Sequence, residues 1–494
     1  MAAITGEIPP FTLKSPSEFL AACPKFRILV LGNPESTKQE IFSKVFGIDL
    51  EKKLLADAFN ARNHHPVEEE LDLHGQNARL TVFTSHNFGT GDETAYRAVS
   101  DFLASPALAD APIHCIWYCI ASEEGRSIHS LETQFFAELP KIAPRVPVVL
   151  VFTKYDEFVT QVQLDWSRDA SRRGGVSKVA VAHILRDLSV KRFEKTIGRK
   201  WDEASGRTKG RQIPRVCVSG GPEDGDESYE RLAARTLASL RDRSVQLSFA
   251  AAQRSSAFIS TQFCADTAAE YFTVDTGHAR KVDGVDMNEI IPNFFAEAYQ
   301  IFNMRDVSTV LLEKNLLTKI LEAAFPGDRL PFLLDALHHS GTDQTMMLNL
   351  SPHERAVLLT QALAMIVLFL HKLAEMQWPH QDNFSLSVVP PTLTPRAVER
   401  VLNEMHTGKD KTDVLEAIEE NHIFSSCRLR EEISDLILNS VHGTDKIHIH
   451  HEGVGNPTVR VDDDDLNEIS LAYVNDKGPD DMFLPCGLKI LKLN

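Results

Sequence analysis

The stretch FRILVLGNPESTKQEIFSKVFG, Phe26 to Gly47, decides how the first half of this chain is read. A mostly apolar run ends at Gly32, and the helical pattern IFSKVFG follows Lys38. Strand, glycine, short loop, lysine and helix are the parts of a phosphate cradle. Backbone N–H groups curl around the oxygens and the helix N-terminus points at them. The usual pattern is glycine, four residues, Gly-Lys and then Ser or Thr. Here Asn33, Pro34, Glu35 and Ser36 fill the loop and Lys38 stands at the phosphate lysine. Thr37 replaces the second glycine, and Gln39 replaces the hydroxyl that would hold magnesium. Alone, the stretch reads equally as a plain strand-to-helix turn.

Four more apolar runs follow: ARLTVFTSHNFG, PIHCIWYCIA, VPVVLVFTKYD and IPRVCVSG. They are rich in Val and Ile with little alternation, as in strands buried on both faces of a parallel sheet. Helical patterns such as TQFFAELPKI and VAVAHILRDLSVKRFEKTI lie between them. The expectation is an α/β, doubly wound, mostly parallel sheet whose ligands bind at the carboxyl ends of the strands. Beyond about residue 250 the strand signal stops. NEIIPNFFAEAYQIF, VSTVLLEKNLLTKILEAAF, AVLLTQALAMIVLFLHKLAEM and DVLEAIEE carry helical spacing, broken by the proline-rich SLSVVPPTLTP. From Lys446, DKIHIHHEG, NPTVRVDDDD and CGLKILKLN suggest short strands. The expected divisions are an extension over 1–25, a sheet domain over 26–250, a helical domain over 251–445 and a β-rich acidic tail over 446–494.

The chain has 494 residues and a net charge of -17. That balance disfavours nonspecific binding to nucleic acid or to an anionic membrane. Residues 168–215 depart from it, with fourteen Lys and Arg against five Asp and Glu. This segment is either a solvated helix face or a docking surface for an acidic protein partner. Seven cysteines without a Cys-x-x-Cys pair fit a reducing compartment. The N-terminal residues lack a secretory pattern, so a cytoplasmic location is expected. Ala356 to Leu370 is short for a spanning helix and contains Thr360 and Gln361, so a buried core helix is expected there rather than a membrane span.

VVLVFTKYDEF sets Thr153, Lys154 and Asp156 at the end of the fourth run. A carboxylate accepts two parallel hydrogen bonds from a donor pair. Guanine offers such a pair and adenine does not. The lysine stem can cover the purine ring. After the fifth run, backbone N–H groups at Ser219 and Gly220 are placed to reach the guanine carbonyl.

These three pieces, in this order, resemble the P-loop GTPases of the translation-factor-related class, most closely Era- and TrmE-like G domains. PIHCIWYCIA followed by PVVLVFTKYDEF is also similar to predicted G-domain proteins of filamentous fungi. The resemblance covers roughly residues 26–250. It implies GTP or GDP as cofactor, held by Gly32, Asn33, Pro34, Glu35, Ser36, Thr37, Lys38 and Gln39 at the phosphates. Thr153, Lys154, Asp156, Ser219 and Gly220 would frame the base. The departures fall on the catalytic half. The family carries Asp-x-x-Gly after the second strand, where LTVFTSHNFGTGDE offers only His86 or Ser85 before Gly89. Asp92 and Glu93 come later. NHHPVEEELDLHGQNA has no threonine to order the first switch. Phosphoryl transfer depends on positioning and charge neutralisation. The expectation is therefore guanine-nucleotide binding with poorly held magnesium and slow or absent hydrolysis, in a regulatory role. The alternative is a pseudo-GTPase scaffold. HIHHE (His448 to Glu452) and Asp462 to Asp465 read as a strand and a solvated turn rather than metal sites.

Overall fold

The structure is a computed structural model. It describes residues 16–32, 38–48, 77–85, 88–89, 91–108, 111–168, 178–206, 213–220, 225–270, 287–304, 309–313, 315–325, 327–338, 351–377, 393–420, 434–435, 437–438, 448–451 and 488–491.

All five apolar runs become strands: β1 (Phe26–Gly32), β2 (Leu80–Thr84), β3 (Cys115–Ala121), β4 (Val148–Thr153) and β5 (Arg215–Cys217). They form one sheet of order β2-β1-β3-β4-β5, and every neighbouring pair is parallel. Both faces are covered, which explains why the runs lack alternation. Phe26, Ile28 and Val30 of β1 enter one core, while Leu29 and Leu31 enter the other.

On the first face lie α1 (Pro16–Ala22), α2 (Lys38–Phe46), α8 (Gly225–Ser239) and α9 (Arg243–Ala252). Trp117 stacks on Phe46 there, and its indole N–H donates to Thr236 Oγ1 at 2.9 Å. The second face is covered by α3 (Glu93–Leu103), α4 (Ser130–Ile142), α5 (Tyr155–Arg168), α6 (Lys178–Phe193) and α7 (Arg199–Ala204). The helix after β1 and those after β3 and β4 thus leave on opposite faces. The strand order reverses between β1 and β3, and the carboxyl edge at such a switch point is where open α/β sheets bind ligands.

A π-helical segment, Glu194–Gly198, joins α6 to α7. It carries Glu194 and Asp202 to the same guanidinium, Arg215 of β5, at 2.5 and 3.3 Å. Arg192 binds Glu124 and Asp165. Part of the cationic excess over 168–215 is therefore paired within the fold, while Lys191, Lys195, Arg199 and Lys200 are exposed.

The helical half packs around α14 (Pro352–Gln377), flanked by α10 (Ala257–Glu270), α11 (Met287–Phe302), α15 (Pro395–Thr407) and α16 (Lys409–Glu420). Among the described residues, one helix, Ala356–Gln377, is long and apolar enough to cross a membrane, and 89% of its most apolar window is buried inside the fold. The expected boundary at residue 250 falls inside α9, which packs on both β1 and α11, so the sheet's first core runs on into the helical half. A polar knot fastens the joint. Asn77 donates to Phe46 O and Ala252 O, Asn303 donates to Ala251 O, and the Arg254 N–H donates to Val45 O.

The helix expected over VSTVLLEKNLLTKILEAAF is interrupted. Thr309 takes a left-handed conformation, Val310–Leu312 forms a separate 3₁₀ turn, and α12 starts only at Leu316 and ends at Ala324. α13 (Leu330–His338) follows. In the tail, β6 (His448–His451) pairs antiparallel with β7 (Leu488–Leu491). NPTVRVDDDD and most of SLSVVPPTLTP lie outside the described residues.

Candidate functional site

β1 ends at Gly32 with φ of 123°, a conformation that residues with side chains rarely adopt. A Cβ at this position would run into the carbonyl oxygen of Cys119 on β3. Close packing of β1 on β3 thus fixes the glycine independently of any ligand. Asn33, Pro34, Glu35, Ser36 and Thr37 lie outside the described residues. The backbone resumes at Lys38, which opens α2, so the spacing from glycine to lysine-led helix is kept. The side chains of Lys38 and Gln39 lie outside the described part.

The ends of β4 and β5 are tied together by the Tyr155 N–H donating to Val218 O at 3.2 Å and the Val218 N–H donating to Phe152 O at 2.8 Å. This brings Ser219 and Gly220 beside Lys154 and Asp156. Thr153 is buried. Its hydroxyl turns into the sheet toward Ile120 O at 3.4 Å, and its carbonyl accepts from the Ser122 N–H at 2.9 Å. Thr153 therefore staples β3 to β4 at their carboxyl ends. Lys154 has φ of 56°, the left-handed region, which costs a non-glycine residue about 1 kcal/mol. Strain of this kind persists where surrounding structure imposes it, and it clusters at functional sites. Here the turn swings the chain from β4 directly into α5 and sets Asp156 in its first turn. The Lys154 ammonium lies 3.4 Å from the exposed carboxylate of Glu157, a pair worth at most about 1 kcal/mol and readily exchanged for another partner.

The Ser219 N–H, one of the donors expected to face a base carbonyl, already donates to Ser228 Oγ on α8 at 3.1 Å. Gly220 is packed by another group. A Cβ there would lie 2.5 Å from a carboxylate oxygen of Glu40, on the first turn of α2. Glu40 also hydrogen-bonds Tyr229 of α8 and feels the charge of Asp156. Burial, and secondarily Asp156, raise its carboxyl above the ordinary value, against the opposing hydrogen bond from Tyr229 and charge of Lys44. The sequence does not single out Glu40, because an acid in a helix's first turn is ordinary dipole complementarity. The available signal was its position two residues after the phosphate lysine, where an anion opposes anionic ligands.

The loop after β2 is held from the other side. Gly89 and Gly91 have φ of 95° and 85°. Glu132, almost fully buried at the start of α4, receives hydrogen bonds from Tyr118 at 2.5 Å, Arg126 at 3.0 Å and the His129 N–H at 2.9 Å. Arg126 also reaches toward Gly89 O at 3.5 Å and covers the ring of Trp201. A Cβ on Gly89 would lie 3.0 Å from Glu132 Oε1. Asp92 caps α3, accepting from the Thr94 N–H at 2.8 Å, and Glu93 pairs with Arg97 in solvent. Both acids are thus engaged by α3 itself. Ser85 is buried at the end of β2, and His86 lies outside the described residues. Among the described residues no group of three or more His, Cys, Asp or Glu could hold a metal ion.

The carboxyl edge therefore gathers Gly32, the start of α2, Thr153, Lys154, Asp156, Ser219 and Gly220. No protein-family model matches this chain, and no curated protein is significantly similar to it.

Proposed function

We propose that the sheet domain is a degenerate G domain that binds guanine nucleotide and hydrolyses GTP slowly or not at all. One observation carries the reading. The loop-to-helix unit after β1, the Thr-Lys-x-Asp turn after β4 and the Ser-Gly turn after β5 lie on one carboxyl edge, flanking the point where the strand order reverses. The left-handed Lys154 supports it, since that turn sets Asp156 at the start of α5, next to the end of β4. A carboxylate there selects a base with paired donors, and a lysine stem beside it covers an aromatic ring. Hydrolysis is impaired because Gln39 replaces a magnesium ligand, and because neither Ser85 nor His86 supplies the carboxylate that would support the metal.

The test is a calorimetric titration with GDP and GTP, with and without magnesium, beside Asp156→Ala. Binding that is lost in Asp156→Ala and changes little on removing magnesium supports the reading. No binding, or binding indifferent to Asp156→Ala, rejects it.

A second reading, a pseudo-GTPase scaffold, is favoured by the loop after β2. In a nucleotide switch this loop moves; here Gly89 is clamped against the buried Glu132–Arg126 pair. A fold whose melting temperature is unchanged by guanine nucleotide, and which carries none on purification, would favour the scaffold.

A further inference from the structure

We propose that Glu40 is a built-in occupant of the base subsite, an internal competitor that guanine must displace. The inference rests on the guanine-site reading above and adds what regulates that site. Three observations converge on this side chain. Its carboxylate lies so close to the Gly220 backbone that a Cβ at residue 220 would sit 2.5 Å from one oxygen. It is held there by the hydroxyl of Tyr229, itself fully buried in the sheet's first core. It is near enough to Asp156 for the two acids to interact. Glu40 thus lies against the β5 turn that carries Gly220 and within electrostatic reach of the α5 turn that carries Asp156. A purine edge bound by Asp156 and facing the Gly220 backbone has to take the place of that carboxylate.

Gly220 is where this arrangement depends on a glycine. Any side chain there would push the carboxylate out. Glu40 is only half buried, so rotation about its side-chain bonds can carry the carboxylate into solvent. In the closed arrangement Glu40 feels the charge of Asp156, and the Tyr229 hydroxyl and the Lys44 charge offset that repulsion. Guanine brings two N–H donors to the Asp156 side and displaces the second anion. Binding and displacement are then one exchange, and the apparent affinity is lowered by the fraction of molecules in which Glu40 lies inward.

The experiment is calorimetric titration of the full chain with GDP, with ADP as control, for wild type, Glu40→Ala, Glu40→Asp and Tyr229→Phe. Glu40→Ala removes the carboxylate. Glu40→Asp keeps the charge but withdraws it by one methylene. Tyr229→Phe removes the restraint without touching the acid. The expected result is GDP affinity raised about tenfold or more in Glu40→Ala, with smaller gains in Glu40→Asp and Tyr229→Phe and no gain for ADP. If wild type binds GDP and the three variants bind it equally or less well, Glu40 is a bystander or a ligand contact, and this inference alone fails. If no form binds GDP, the guanine-site reading fails and takes the inference with it. Thermal melts of each variant keep the comparison among folded proteins. Should Glu40→Ala not fold, Tyr229→Phe and Glu40→Asp carry the same decision.

Discussion

Lowering the pH should destabilise this fold through one histidine in particular. His114 lies just before β3. Its Nδ1 accepts the Arg27 backbone N–H at 3.0 Å, and its backbone N–H donates to Arg27 O at 2.8 Å. With Nδ1 as acceptor, Nε2 carries the proton and faces Cys23 Sγ at 3.8 Å. Protonating Nδ1 would set one donor against another, in a half-buried place beside a guanidinium. Burial, then the Arg27 charge, lower the His114 pKa from 6.5 to about 4, against the weaker pull of Asp242. A histidine with a depressed folded pKa stabilises the native state fully above the unfolded value. That stability is lost as pH falls from 6.5 toward about 4. Taken between about pH 7.5 and about pH 4.5, the shift from 6.5 to about 4 is worth about 2.5 kcal/mol. The assay is urea unfolding at a series of pH values for wild type and His114→Asn, whose amide oxygen can replace Nδ1 as acceptor. The variant should lose less stability than wild type over that range, by about 2.5 kcal/mol. Parallel curves for the two proteins would refute the reasoning, because other groups would then carry the acid response.

Further outcomes follow from the same structure. Gly32→Ala, forced into positive φ against Cys119 O, should cost about 3 kcal/mol or more in chemical denaturation, against about 1 kcal/mol for Ala at the exposed Gly125, which shares the positive φ but meets nothing within 4 Å. Glu132→Ala, leaving Arg126 buried without its carboxylate, should cost about 3–5 kcal/mol and increase proteolysis of the loop around Gly89. Lys154→Gly should relieve the left-handed strain and raise stability by about 0.5 kcal/mol, while weakening GDP binding through loss of the stem over the base. In a flotation gradient with anionic liposomes the chain should stay at the bottom, because the one long apolar helix among the described residues is already covered by its neighbours.

The sheet was readable because its strands are buried on both faces. Runs such as CIWYCIA and VVLVFT have few alternatives to a central strand, whereas the strand order and register are visible only in the structure. α14 was readable from its length, its mean apolarity and the Ser351–Glu354 capping pair, in which each residue bonds the other's N–H. The missed features are set by tertiary contact. Nothing local announces that Ser228 takes up the Ser219 N–H, since nine residues and a change of element separate them. The break at Thr309 comes in a segment whose apolar spacing alone runs unbroken into α12. α15 opens at the end of the proline-rich break, with Thr394 as N-cap and Pro395 in the first turn. The position of Glu40 needed three elements at once: α2 to carry it, α8 to bond it and the β5 turn to receive it.

The central claim is that Asp156 reads a purine edge at the carboxyl end of β4. Changing hydrogen-bond polarity at that one residue tests it most directly. Xanthine carries a carbonyl where guanine carries its exocyclic amine, so an amide donor in place of the carboxylate should reverse the choice of base. Calorimetric titration of wild type and Asp156→Asn with GDP and xanthosine diphosphate should show wild type preferring GDP and the variant preferring xanthosine diphosphate, each by about tenfold or more. An unchanged order of preference in the two proteins would contradict the account.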